Sequence, residues 1–147
     1  MKVYNRKARY NYYLLEKFEA GIALTGAEVK SIKENRLRMA ESFVRLTGTS
    51  AFLVNAHIAP YKYADNRNYD PQRTRRLLLH KKEILVLMKK MESKNLALVP
   101  VSCYTKKGMI KLEIALARGK KKWDKREVLK KRALDREARK ETKAYKG

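Results

Sequence analysis

Two apolar runs around one tight turn constrain this chain most. Leu96–Tyr104 and Met109–Leu116 flank Lys106-Lys107-Gly108, the pattern of a β-hairpin. In the second run Ile110, Leu112, Ile114 and Leu116 alternate with Lys111 and Glu113. A period of two turns the apolar set inward and the charged set outward. Pro100 in the first run has no amide to donate, which marks an edge or a bulge. Cys103 falls on the row of Val99 and Val101 and is expected as a small core residue.

Further strands follow the same logic. Tyr10–Leu24 reads as a long first strand, with Tyr12, Leu14, Phe18, Ala20 and Ile22 on one face and Tyr13, Leu15, Lys17 and Glu19 on the other. Glu16 interrupts the inner row, and Gly21 suggests a bulge or bend. The tyrosines are either base-stacking groups or core and rim residues of a sheet. Ser42–Leu46 and Ala51–Ala59 make two more strands, joined by Thr47-Gly48-Thr49-Ser50 and ended by Pro60. In the second of these, Phe52, Val54, Ala56 and Ile58 alternate with Leu53, Asn55, His57 and Ala59. His57 has no carboxylate or second histidine near it in sequence, so an exposed strand residue is expected, not a catalytic base. Thr25–Asn35 reads as a short helix. Thr25 caps it and Glu28, three residues on, completes a capping box. Val29 and Ile32 make its apolar contact, Lys30 and Lys33 face outward, and Asn35 ends it.

The count is about six strands, one short helix and one longer helix. No strand–helix–strand unit recurs, which argues against a doubly wound sheet. The expected fold is mainly β with flanking helices (β+α): an oligonucleotide-binding-like antiparallel β-barrel over residues 1–117. Within it, Val3–Arg9 is a short basic arm, read as a frayed terminus.

Charge sets the class of partner. Lys+Arg number 37 against 15 Asp+Glu, a net of +22 with pI near 10.2. Such a chain repels itself unless something anionic neutralises it. Phosphate neutralisation also releases counterions, so a nucleic acid is favoured, ahead of an anionic membrane surface. No apolar run approaches the ~18 residues of a membrane span, and the N-terminal residues lead into no secretory core. Cys103 is the only cysteine, which excludes an intrachain disulfide and a cysteine-based zinc site. A cytoplasmic setting and a monomer are expected.

Asp70–Met91 joins a charge cluster to a helix. Asp70-Pro71 signals a turn, and Arg73, Arg75 and Arg76 follow within four residues. Ile84, Leu85, Leu87, Met88 and Met91 recur at the spacing of one helix face, with His80 at the start and Ser93, Lys94 and Asn95 at the end. The arginines are either a solvated basic loop or a phosphate site, for which their planar fork is suited. Tyr61–Tyr69 before them reads as a flexible loop.

At Arg118 the composition changes. Residues 118–147 hold fourteen Lys/Arg and five Asp/Glu, a net of +9. Val128, Leu129, Ala133, Leu134 and Ala138 do not gather on one helix face. A basic C-terminal tail is predicted, disordered when free and helical on an anionic surface.

Catalytic signatures are missing from this sequence. It has no glycine-rich phosphate loop, nucleophile elbow or paired metal-ligand histidines, and no carboxylate cluster for two metals. No cofactor and no metal are expected. Folded RNA is favoured over duplex DNA, because no helix resembles a groove-reading helix.

Six runs together resemble a known family: Asn5-Arg6-Lys7-Ala8, Phe18-Glu19-Ala20-Gly21-Ile22, Gly26-Ala27-Glu28-Val29-Lys30-Ser31, Ile58-Ala59-Pro60-Tyr61, Asp70-Pro71-Gln72-Arg73-Thr74-Arg75-Arg76-Leu77-Leu78-Leu79 and Gly119-Lys120-Lys121-Lys122-Trp123-Asp124-Lys125-Arg126. In this order they are similar to the SsrA-binding (small protein B) family, which binds transfer-messenger RNA in bacteria. The resemblance implies an oligonucleotide-binding-type barrel. It also implies an adaptor, not an enzyme, that holds the tRNA-like end of transfer-messenger RNA and brings it to stalled ribosomes for trans-translation.

Carried over by position, the family's RNA-binding sites fall on Glu19, Leu78 and Lys111. Glu28, Lys30, Arg73, Arg75 and Arg76 are expected neighbours on the same surface. The ribosome-binding motif of the tail maps to Gly119, Lys120, Lys121, Trp123, Asp124, Lys125 and Arg126, to act in the decoding centre and empty messenger channel. Trp123 stands where some members have histidine. A general RNA-binding or ribosomal structural protein and an RNA-processing enzyme are the competing readings.

Overall fold

The first residues belong to a sheet. In the computed structural model, which describes residues 1–121, 125–126, 129–134 and 136, β1 (Lys2–Tyr4) pairs with β8 (Ala97–Lys106), Lys2 opposite Tyr104. Asn5 then caps α1 (Arg6–Asn11) by accepting from the Ala8 amide. The basic arm expected over Val3–Arg9 is therefore a strand, a cap and a helix. Buried Asn5 is the reason: its Nδ2 donates to the carbonyls of Met39 at 3.2 Å and Pro100 at 2.8 Å. A short charged segment has no readable period, so these remote bonds left no local signal.

The long first strand is β2 (Tyr12–Ile22). Its register shifts between Leu14 and Glu16, and Leu15 is half exposed. The bulge exchanges the faces of the strand, so the single inner row expected is corrected: Phe18, Ala20 and Ile22 meet the main core, whereas Tyr12 and Leu14 lie on the other side with Ala8, Val99 and Ala117. Gly21 is no bulge. A Cβ there would lie 3.1 Å from the Leu78 Cβ, so glycine lets a neighbouring strand approach. Next come α2 (Gly26–Lys33), β3 (Leu37–Arg38), β4 (Phe43–Leu46), β5 (Ala51–Val54) and β6 (His57–Ile58). The capping box of α2 is present, the Glu28 amide donating to Thr25 Oγ1 at 3.2 Å and the Thr25 amide to Glu28 Oε1 at 3.0 Å. The expected single strand Ala51–Ala59 is split at Asn55, whose φ of 65° shifts the inward set from Ala51 and Leu53 to Ala56 and Ile58. His57 is half-buried, with Nδ1 buried and unpaired.

Of the arginine cluster, Arg75 and Arg76 lie not in a loop but on a strand, β7 (Arg75–Leu78), ahead of α3 (Lys81–Lys94), while Arg73 precedes the strand. Four residues with two arginines are too short and too charged to show a strand period. On α3, Ile84 and Leu87 are buried and Met88 and Met91 pack against the core, while Leu85 and Val86 are exposed. Asn95 ends the helix in the left-handed conformation, φ 52°. β8 and β9 (Met109–Gly119) form the expected hairpin. Lys107 and Gly108 both have positive φ, 50° and 77°, which matches a two-residue turn to the twist of the strands. Pro100 sits at a second register shift, before Ser102.

The main sheet runs β1-β8-β9-β2-β7-β5-β4, with β3-β6 as a separate pair. Adjacent strands are antiparallel throughout. β4 returns against β8 without pairing to it, so the sheet curls like a barrel but hydrogen bonds do not close it. The antiparallel architecture with flanking helices is as expected; the closed barrel of about six strands is corrected to nine strands among the described residues. The core lies inside the curl, where Ile32, Leu53, Ile58, Leu77, Ile84, Leu112 and Ile114 meet. On the other side α1 places Ala8 against Val99 and Ala117, so β8 and β9 are covered on both faces there.

β9 carries Arg118 and Gly119 into the sheet, opposite Tyr13 and Tyr12. The Lys120 amide donates to the Asn11 carbonyl at 2.8 Å. The body thus extends past the boundary expected at residue 117. Residues 125–126, 129–134 and 136 are helical; the rest of the tail expectation, including Trp123 and Asp124, lies outside the described residues. No helix among the described residues is long and apolar enough to cross a membrane.

Replacing Asn5 by Ala removes a helix cap and takes its Nδ2 donor from the Pro100 and Met39 carbonyls, of which Met39 still accepts from the Ser42 amide and hydroxyl. Asn5→Ala is expected to lower stability by about 2–3 kcal/mol, measured by urea denaturation.

Candidate nucleic-acid interface

Sheet register assembles the site. Opposite residues on antiparallel strands share a face. Gly21 of β2 lies opposite Leu78 of β7 on one side and Lys111 of β9 on the other. Lys111 lies opposite Tyr104 of β8, and Tyr104 opposite Lys2 of β1. One row therefore crosses five strands on the outer face: Leu78, Gly21, Lys111, Tyr104, Lys2. Glu19, two residues from Gly21 along β2, shares that face, as does Arg76, two residues from Leu78. The three positions carried over from the family are thus brought together.

The row is shaped as well as charged. Leu78 is 54% exposed, and the missing side chain of Gly21 lets it lie flat against β2. An open groove forms there, lined by Gly21, Leu24, Val29, Leu78, Met109 and Lys111. Glu19 accepts from the Tyr104 hydroxyl and from Lys106 Nζ, the latter at 3.4 Å. The Tyr104 bond, then Lys106 and Lys111, hold the Glu19 carboxyl below its ordinary value, so it stays ionised. Its two oxygens are thus engaged by Tyr104 and Lys106. The Lys2 ammonium sits 5.0 Å from the Tyr4 ring centroid and 5.8 Å from that of Tyr104. Aromatic faces interleaved with cations suit unpaired bases and phosphates.

Glu28 and Arg75 are corrected: their side chains are fully buried and lie beneath the surface, not on it. Arg75 Nε donates to Glu28 Oε2 at 2.6 Å, Nη1 to the Ala56 carbonyl at 2.9 Å, and Nη2 to the Pro71 carbonyl at 3.0 Å and the Tyr69 hydroxyl at 3.2 Å. The Tyr69 hydroxyl in turn donates to the Ile58 carbonyl at 2.9 Å. Glu28 Oε1 also accepts from Arg73, whose side chain is 38% exposed. Burial raises the Glu28 carboxyl. Hydrogen bonds from Arg73, the Thr25 amide and Arg75 outweigh it and hold the group at about 2, against an ordinary 4.5. Lys30 is exposed on α2.

A comparison with known families places this arrangement. The family model described as SmpB protein matches residues 2–144. The chain belongs to the SmpB family. Its relatives include the SsrA-binding protein of Persephonella marina, 50% identical over 143 residues, covering 97% of this chain and 92% of that protein. The SsrA-binding protein of a Sulfurihydrogenibium species is 52% identical, covering 92% and 90%. A chain of the solved structure "tmRNA-SmpB: a journey to the center of the bacterial ribosome" superposes with a TM-score of 0.69 at 45% identity, covering 82% of this chain and 85% of that one.

For this SmpB-family chain, sequence reasoning missed Lys2, Tyr4, Tyr104 and Lys106 as members of the face. Tyr104 and Lys106 were visible as the outward set of β8, opposite to Cys103; Lys2 and Tyr4 were not, because β1 had no signal. At the base of the tail, Lys120 Nζ donates to the Arg9 carbonyl at 3.0 Å and lies 5.1 Å from the Tyr13 ring centroid. Lys125 lies 5.8 Å from that of Tyr10, and its amide donates to the Lys121 carbonyl at 3.2 Å. Arg126 is exposed. Among the described residues, no group of three or more His, Cys, Asp or Glu is placed to hold a metal ion.

A carboxylate whose native pKa lies below its unfolded one stabilises the fold above the unfolded value and loses that contribution as pH falls through the native one. Glu28→Gln is expected to cost about 3–5 kcal/mol at neutral pH, because it leaves Arg75 buried without its charge partner. The gap to wild type should close by roughly 3 kcal/mol between pH 5 and pH 2, as read from denaturation midpoints across that range.

Proposed function

We propose that this chain is an RNA-binding adaptor that holds the tRNA-like domain of transfer-messenger RNA on the outer face of its sheet and delivers it to stalled ribosomes for rescue. The observation that carries this reading is the cross-strand row: Leu78, Lys111 and Glu19 converge on Gly21 in a chain whose relatives are SsrA-binding proteins. Lys111, Lys106, Arg76 and Lys2 supply the phosphate contacts. Leu78 and the groove beside it take the apolar surface of a base or ribose. Glu19 acts through Tyr104 and Lys106, which it holds in place.

The basic tail, including Lys121, Trp123, Asp124, Lys125 and Arg126, works in the small-subunit decoding centre and the empty messenger channel, where it stands in for codon–anticodon pairing. Gly119 and Lys120 join the tail to the body. The protein is a cytoplasmic monomer that positions RNA and carries out no bond chemistry of its own. Divalent-metal-dependent RNA cleavage by the pure chain would replace this reading with that of a processing enzyme.

The deciding measurement is selectivity. In a salt titration the chain should prefer transfer-messenger RNA to bulk tRNA; equal affinity would favour a general RNA-binding protein. Lys111→Ala should weaken binding at all sequences and reduce the salt slope by about one, with the circular dichroism spectrum unchanged. Removing residues 122–147 should leave RNA binding by the body largely intact and abolish tagging on stalled ribosomes, assayed by transfer of the tag to a truncated message's product.

A further inference from the structure

The segment between β6 and β7 carries two rings that the sheet face does not use. Tyr63 is 77% exposed, and its ring packs edge-on against Tyr61, with centroids 5.5 Å apart and planes at 68°. Each ring carries a cation: Lys30 stands 5.4 Å from the Tyr61 centroid and Lys62 stands 5.5 Å from the Tyr63 centroid. Neither ring joins a core cluster, and neither hydroxyl has a hydrogen-bond partner among the described residues. Tyr61 is half-buried, but core packing does not account for Tyr63.

The segment that presents them is held. Asn66 Nδ2 donates to the Tyr61 carbonyl at 2.9 Å. Further on, Tyr69 and Pro71 are tied into the buried Glu28–Arg75 network. The rings also stand beside the proposed interface: Lys30 follows Val29 on α2, and Val29 lines the Leu78 groove. Groove and ring pair therefore flank one helix.

An exposed ring held at a fixed angle by a half-buried one offers a π-face to any base, and a cation beside each can reach the flanking phosphate. Bases in a duplex hide their faces in the stack, whereas loops of a folded RNA splay them out. We propose that Tyr61 and Tyr63 form a stacking arm for an unpaired RNA base, with Lys30 and Lys62 taking the phosphates on either side. The arm extends the sheet-face interface around α2 and rests on the RNA-binding reading given above. It selects a looped RNA over a duplex of equal charge.

The test uses the full chain with transfer-messenger RNA and, as a second probe, an RNA duplex of matched length. Tyr63→Ala should weaken binding of transfer-messenger RNA about tenfold and leave duplex binding unchanged, while Tyr63→Phe retains affinity. In Tyr63→Trp, added transfer-messenger RNA should quench fluorescence beyond the change given by the native Trp123; this readout does not depend on how Tyr63→Ala folds. Wild-type affinity in Tyr63→Ala beside weakened Lys111→Ala would overturn the arm and leave the RNA reading standing. Unchanged affinity in both would remove the reading itself. Equal losses on both probes, or no extra quenching at position 63, would overturn stacking.

Discussion

Glu28 and Arg75 meet with both side chains out of water. Burying two charges costs several kcal/mol each unless the geometry is close and the remaining donors are satisfied. Here they are: the guanidinium bonds to the carboxylate, to the carbonyls of Ala56 and Pro71, and to the Tyr69 hydroxyl. The carboxylate also closes the capping box of α2 through the Thr25 amide. One ion pair thereby fixes the helix, strand β7 and the segment 59–74 relative to one another. Arg76 and Leu78 alternate with Arg75 along β7, so burying one arginine turns the next residue and Leu78 outward.

That orientation matters because of what lies beside it. Leu78 rests on Gly21, and Lys111 reaches the same glycine from the opposite strand. A side chain at position 21 would meet Leu78 at 3.1 Å, pushing apart the two residues that define the groove. Glu19 works in the same economy of space. Its carboxylate binds Tyr104 and Lys106, so an acidic residue on a basic face orders the groups around it.

The hairpin at 96–116, the capping box at Thr25 and Glu28, and the alternation of β2 from Phe18 to Ile22 were legible because each is local: a period of two, or a three-residue spacing, needs no knowledge of the rest of the chain; the bulge that turns Tyr12 and Leu14 to the other face was not. β1 and β7 were not legible. β1 has three residues, and the geometry after it depends on Asn5 bonding to residues 34 and 95 positions away. β7 looked like a charged loop because one of its arginines is neutralised by a carboxylate 47 residues earlier. The same remoteness explains why Glu28 and Arg75 looked like surface groups. A charge is expected at the surface until its partner is known.

By itself the sequence determined the partner class and the kinds of element: an excess of cations calls for a polyanion, and alternating apolar residues call for antiparallel strands. Its six motifs also carried the family resemblance and the positions Glu19, Leu78 and Lys111. Only the tertiary structure decided that those three meet at Gly21, that Lys2 and Tyr104 continue their row, and that Glu28 and Arg75 lie beneath it. The physical reason is register. Which residues face each other across strands is set by bulges, turns and buried bonds summed over the whole sheet, and no stretch of local pattern contains that sum.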